Sequence, residues 1–162
     1  MMARLLLVAL LGSSCPLEPD PVPPRGTTIG PADAGEAIVT RVVDGDTVWL
    51  EDGERVRLIG IDAPETDHPD QPQECYAGQA TQALRRMVLD RRVRVETDLE
   101  LRDPFDRLLA YLWVGGRMVN EELAEGGFAV ARRYPPNLRH ARRLEAAQER
   151  ARAESLGLWG AC

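Results

Sequence analysis

Residues 37–65 read AIVTRVVDGDTVWLEDGERVRLIGIDAPE, and how this stretch is read decides the fold. The pair Asp44 and Gly45 suits a two-residue hairpin turn with positive φ, and Asp52 with Gly53 marks a second reversal. Strands are therefore expected over 37–43, 46–51 and 54–61, joined as an antiparallel meander. In such a meander the start of the second strand lies beside the end of the third, which brings Asp46 toward Asp62. With Glu51 facing Glu54, Asp46 faces Ile59, and Asp62 lies roughly 10 Å further along at about 3.3 Å per residue. A bend at Gly60 would close that gap. Pro64 then ends the strand, having no amide hydrogen to donate, and holds Ala63 extended.

Alternation puts Val56, Leu58 and Gly60 on one face of the third strand, and Arg57 with Ile59 and Ile61 on the other. An arginine on an apolar face either packs its stem and sends its head to water, or serves an anion. Asp62 and Glu65, close behind it, favour the second. Asp46, Asp62 and Glu65 offer oxygen ligands without a thiolate or imidazole, which suits a hard cation such as calcium. Arg57 and Arg107 beside them suit a phosphate whose charge grows in the transition state. Together the five point to calcium-assisted phosphodiester hydrolysis. Single acidic residues at turns are nevertheless common: Asp46 could as well support its turn, and Glu65 could cap the segment at Thr66.

Beyond the meander, the patterning predicts a helix from Cys75 to about Asp90, strands over 92–97 and 108–114, and a turn at Gly115 and Gly116. Short and long helices follow over 119–125 and about 138–153. With 162 residues and 44% hydrophobic content the chain supports one mixed α+β domain, and no internal repeat is visible. There is no lysine, so all 20 cationic side chains are arginine, and the formal charge is −6. An acidic balance is unusual for a partner of a polyanion. Arg132, Arg133, Arg139, Arg142, Arg143, Arg150 and Arg152, set against Glu145, Glu149 and Glu154, form either a local basic patch or a solvated helix face.

Ahead of the domain, Arg4 precedes an apolar run from Leu5 to Leu11, then Gly12, Ser13, Ser14 and Cys15. Residues 1–14 read as a bacterial export signal, too short to span a membrane as a helix. Its end resembles a lipoprotein signal in which Cys15 is lipidated, although an ordinary signal peptidase would accept the same bond. The expected location is therefore outside the cell, either membrane-anchored or secreted. Residues 15–36, rich in proline, read as an extended tether, leaving 37–162 as the domain. With Cys15 lipidated, Cys75 and Cys162 remain, and an oxidising compartment favours pairing them; two unrelated thiols are the alternative.

Five blocks occur in one order: DGDTV (44–48), RLIGIDAPET (57–66), Asp103 with Arg107 and LAY (109–111), GGRMVNEELAEGG (115–127) and GLW (157–159). On these, the chain from about Ala37 to Trp159 resembles the staphylococcal nuclease family. The resemblance implies an OB-type five-stranded barrel with about three helices, a monomer that hydrolyses DNA and RNA with calcium to leave 3′-phosphates. By position, Asp46 and Asp62 correspond to the calcium carboxylates, with the Ala63 carbonyl as a further ligand. Glu65 corresponds to the general base, and Arg57 and Arg107 to the phosphate-binding arginines.

Phe105, Arg132, Arg133 and Tyr134 fall at the expected substrate surface, where the chain departs from the family pattern. Ala63 replaces threonine but keeps the carbonyl, Phe105 stands for tyrosine, and Asp106 stands for the glycine before the catalytic arginine. The segment 132–135 is about one residue shorter and carries one tyrosine, not two. Other function classes are a binding module on the same barrel and a tethered surface interaction protein. Retention of all five key side chains favours the enzyme.

Overall fold

In a computed structural model, residues 35–66 and 72–162 are described. The leader, the tether to residue 34 and Cys15 lie outside them. The elements run β1 (Glu36–Val42), β2 (Thr47–Leu50), β3 (Arg55–Leu58), β4 (Ile61–Asp62), α1 (Ala77–Val88), β5 (Arg92–Arg102) and β6 (Leu108–Val114). They continue as β7 (Arg117–Met118), α2 (Val119–Glu125), β8 (Val130–Ala131), α3 (Ala141–Ala153) and α4 (Leu158–Ala161).

The meander forms, but its first connection differs from the expected turn. Val42 pairs with Val48, so residues 44–46 make a three-residue loop, and neither Asp44 nor Gly45 has positive φ. The Asp46 N–H donates to the Asp44 carboxylate at 2.9 Å, which shapes the loop. Glycine is required at 45 for space: a Cβ there would lie 2.5 Å from the Ala63 Cβ and 2.9 Å from the Ala80 Cβ. The register is also one residue from that expected, because Thr47 faces Arg57 and the Leu58 N–H donates to the Asp46 carbonyl at 2.8 Å.

A bend does occur at Gly60, where φ is +81°, and the expected third strand breaks there into β3 and β4. The β4 strand then pairs with β8, Asp62 opposite Val130. Asn120, fully buried on α2, holds this bend: its Nδ2 donates to the Ile59 carbonyl at 2.9 Å and its Oδ1 accepts from the Leu112 N–H at 3.0 Å. An unpaired backbone carbonyl at a buried corner would cost about 1–3 kcal/mol, so this asparagine is structural.

Strand order in the main sheet is β3-β2-β1-β5-β6-β7, and β3 pairs again with β6 in parallel, Val56 opposite Leu108. That second pairing closes a five-stranded mixed barrel, the OB-type architecture that the resemblance implied. Its core includes Val39, Val48, Val56, Leu58 and Leu112, and α1 adds Leu84, all with essentially no exposure. Helix α1 is two residues shorter at each end than expected, since Tyr76 and Asp90 both take positive φ and leave the helical region. Helix α3 starts at Ala141, because the residues before it are drawn onto β5 by the Arg139 N–H, which donates to Asp98 Oδ2 at 2.9 Å. The β5 strand runs five residues past the expected end, through a register irregularity between Thr97 and Arg102. Among the described residues no helix is long and apolar enough to cross a membrane.

Candidate active site

Arg57, near the end of β3, sits where the loop after β1 meets the bend before β4. Its Nη1 lies 2.7 Å from Asp46 Oδ2, and its Nη2 lies 2.9 Å from Asp62 Oδ1. One guanidinium thus spans both carboxylates, and Nη1 also donates to the Leu58 and Ile61 carbonyls at 3.0 and 3.3 Å. The planar fork of arginine suits this multiple duty. Asp46 is 2% exposed; its Oδ2 also accepts the Ala63 N–H at 2.8 Å, and its Oδ1 accepts the Thr47 hydroxyl at 3.1 Å. The chain therefore gathers Asp46, Arg57, Asp62 and Ala63 at one point.

Burial pushes the Asp46 carboxyl up to about 7, with Arg57 opposing the shift and Asp44 adding to it. Such a shift marks a carboxylate whose charge is unfavourably desolvated, a penalty that a cation beside it would offset. The donor chemistry agrees, because the available groups are carboxylates and a backbone carbonyl. Among the described residues no three acidic, histidine or cysteine side chains converge as a ready cage. A hard cation here would rest on Asp46, Asp62, the Ala63 carbonyl and water, and the residues fit that role.

Glu65 is exposed, four residues past the start of β4, and is held by a reciprocal pair: its N–H donates to Glu74 Oε2 at 3.0 Å, and its carbonyl accepts the Glu74 N–H at 3.1 Å. Partial burial raises its carboxyl above the ordinary range, and Asp44, Asp62 and Glu74 push in the same direction. That shift makes it a better proton acceptor. Cys75, next to Glu74, is disulfide-bonded to Cys162, so the tail is tied to the same corner.

Arg107, the residue before β6, lines with Arg57 a groove of about 290 Å³ that also takes in Asp103, Phe105, Tyr134 and Asn137. Asp103 orients it, accepting from Arg107 Nε at 2.6 Å and from its N–H at 2.9 Å. Burial alone would raise the Asp103 carboxyl, but these bonds outweigh it and hold it below the usual range. Phe105 is 77% exposed on the rim, its ring centroid 5.5 Å from the Arg107 guanidinium carbon.

Asp106 takes φ +60°, a conformation natural to glycine, and its backbone carbonyl and carboxylate both engage Arg102. Arg132 pairs with Asp62 at 2.6 Å and lies over Tyr134. Arg133 lies apart from the groove, bonded to Glu145. Reading the sequence missed Asp44, Thr47 and Glu74. A signal for the first two existed in the Asp-x-Asp-Thr spacing of a side-chain-capped loop, whereas nothing local marks Glu74.

A closed OB-type barrel carrying acidic and arginine side chains around one groove defines a class of small barrels built to handle anions. The staphylococcal nuclease homologue model matches residues 55–161, so the chain belongs to the staphylococcal nuclease family. It is similar to the thermonuclease of Staphylococcus intermedius, 43% identical over 75% of this chain and 74% of that protein. It is also similar to the thermonuclease of Staphylococcus hyicus, 40% identical over 75% and 73%. A prophage-derived endonuclease of Bacillus subtilis is 33% identical over 76% of this chain and 44% of its own length.

Proposed function

We propose that the protein is a calcium-assisted nuclease that hydrolyses phosphodiester bonds of DNA or RNA to 3′-phosphate products. The observation that carries this reading is the Arg57 bridge, which draws Asp46 and Asp62 to one guanidinium at a groove that Arg107 also lines. Asp46, Asp62 and the Ala63 carbonyl would hold the calcium, which would supply fixed positive charge beside the phosphate.

Arg57, which spans the two carboxylates, presents its guanidinium to a phosphate oxygen in the groove it lines. Arg107, fixed by Asp103, meets the same phosphate from the other side. Neither guanidinium must reorganise as charge builds up on the oxygens. Glu65 takes a proton from the attacking water, whose oxygen bonds to phosphorus as the bond to the 5′-oxygen breaks. The 3′-oxygen keeps the phosphate. Phe105 and Tyr134 form the apolar rim for a base or sugar, and Phe105 offers no hydroxyl to a terminal phosphate.

Export is proposed on the apolar run 5–11, with Cys15 as a lipidation site or the first residue after cleavage, and the domain is proposed to act as a monomer. Release of acid-soluble nucleotides from DNA and RNA, with calcium and then with excess chelator, tests the central reading. Activity that appears with calcium and disappears reversibly on chelation is expected; full turnover in chelator, or none with calcium, would overturn it.

A further inference from the structure

The arginines of the C-terminal region, a candidate substrate patch by sequence, are largely held by internal partners. Arg132 is on Asp62, Arg133 on Glu145 and Arg139 on Glu96. Arg143 is on Glu121, Arg150 on Glu125 and Arg152 on Glu149. A phosphate arriving there would have to displace a carboxylate. Of that cluster Arg142 alone joins no ion pair or side-chain hydrogen bond among the described residues. Arg86 at the end of α1 and Arg91 just beyond it are likewise exposed, and their side chains join none among the described residues.

These two arginines line a cavity of about 270 Å³ with Met87, Val114 and Phe128, where Arg117 is paired with Glu122 at 2.9 Å. A second groove of about 610 Å³ shares Arg86 and Phe128 with it and continues over Gln79 and Gln82 to Tyr76. Within that groove the rings of Tyr76 and Phe128 are stacked, centroids 5.9 Å apart and planes 20° from parallel. Tyr76 follows Cys75 and Glu74, and Glu74 is the residue bonded to Glu65. One surface therefore runs from the candidate base, along the twelve residues of α1, to Arg91.

We propose that this surface is an extended binding path for a single-stranded flank of the nucleic-acid substrate, an inference that rests on the nuclease reading above. Free arginines that track a phosphate backbone, combined with aromatic faces on which bases stack, are what a sequence-tolerant single-strand site requires. An anion at Arg86 and Arg91 breaks no internal ion pair, so its attraction is not offset as it would be on α3. Gln79 and Gln82 are neutral, and Glu122, the carboxylate lining the cavity, is held by Arg117. At about 1.5 Å per residue α1 spans roughly 18 Å, so the path serves nucleotides well outside the groove between Arg57 and Arg107. An acidic protein thus obtains local affinity for a polyanion without a basic overall charge.

The test uses the full chain with two pairs of helix-compatible surface substitutions, Arg86→Gln with Arg91→Gln, and Gln79→Glu with Gln82→Glu. Initial rates are compared on a single strand longer than the roughly 4 to 16 nucleotides such a fold covers, and on a chromogenic dinucleotide. Each pair should raise KM on the long strand about tenfold with kcat unchanged, and leave the dinucleotide unaffected, as expected for contacts equal in ground and transition states. Anisotropy of a labelled strand in chelator should show the salt slope of the arginine pair reduced by about 1.4, at roughly 0.7 per lost contact. Unchanged KM on the long strand in both variants overturns the path. So does an equal rise on the dinucleotide, or loss of binding to anionic vesicles with strand affinity intact. If the parent protein hydrolyses neither substrate, the nuclease reading alone fails, because anisotropy reads the path without turnover.

Discussion

Gly45→Ala is the sharpest test of how the loop after β1 positions the site. The added Cβ would stand 2.5 Å from the Ala63 Cβ and 2.9 Å from the Ala80 Cβ, both closer than carbon atoms approach without displacement. Neither neighbour can rotate away: Ala63 is held by its N–H to Asp46 at 2.8 Å, and Ala80 lies within α1. The loop must therefore move by about 1 Å, an overpacking that costs about 1–3 kcal/mol. Because Asp46 is the next residue, the same movement pulls its carboxylate from Ala63 and Arg57, and a displacement of that size is worth about 10²-fold in rate. Urea unfolding in chelator reads the stability, and initial rates on DNA with calcium read the site. Adding Ala63→Gly removes the shorter contact, so the double variant should recover more than half of both losses, a coupling of at least about 0.5 kcal/mol. A Gly45→Ala protein within about 0.5 kcal/mol of the parent, or strictly additive effects of the two substitutions, would refute this account of the loop.

Glu65→Gln should lower kcat by about 10² to 10⁴-fold, and Arg57→Ala and Arg107→Ala by about 10² to 10³-fold each; an unchanged rate in a folded variant removes that residue from the mechanism. The folded Asp46 pKa lies above its unfolded value, so its contribution to stability is fully present below about 4 and lost as pH rises through about 7. Without calcium, Asp46→Asn should therefore gain stability relative to the parent from pH 4 to 8, and a gap that stays flat by thermal unfolding contradicts this. Asp106→Gly relieves a left-handed aspartate at φ +60° and should stabilise by about 0.5–1 kcal/mol, less whatever the exposed Arg102 pair contributes; a lowered melting temperature would show the pair dominates. Removing the Cys75–Cys162 disulfide with paired serine substitutions should cost about 2–4 kcal/mol, read by chemical denaturation of oxidised protein, and no change would show that the bridge constrains little.

The meander, the bend at Gly60 and the gathering of Asp46 with Asp62 were legible because glycine, proline and strand alternation act locally. The one-residue difference in register was not, since the reversal between β2 and β3 takes three residues, 51–53, with Gly53 at φ +84° and the Leu50 N–H donating to the Glu54 carbonyl, where a two-residue turn at Asp52 and Gly53 was expected. The two-residue strands β4 and β8 carry no period to read. Arg57 and Arg107 stood out by motif, whereas Asp103 and Glu74, which hold Arg107 and Glu65, act through bonds whose geometry no spacing rule specifies. The arginine-rich C-terminal region could not be apportioned from composition: whether a cation is free depends on which carboxylate the fold sets beside it, as with Arg139 and Glu96 on different elements.

Barrel closure has a consequence for the order in which this protein comes to life. Arg57 is paired with Leu109 in the parallel contact between β3 and β6, so Arg57 and Arg107, just before β6, are brought to one groove by the pairing that seals the barrel. Those partners are roughly fifty residues apart in the chain, and contacts of such separation form late, after the local meander. A nascent or refolding chain can thus display β1 to β3 and much of its secondary structure while Arg57 and Arg107 are still unconnected. Recovery of nuclease activity on refolding should lag the far-ultraviolet signal and report the sealing of the barrel itself.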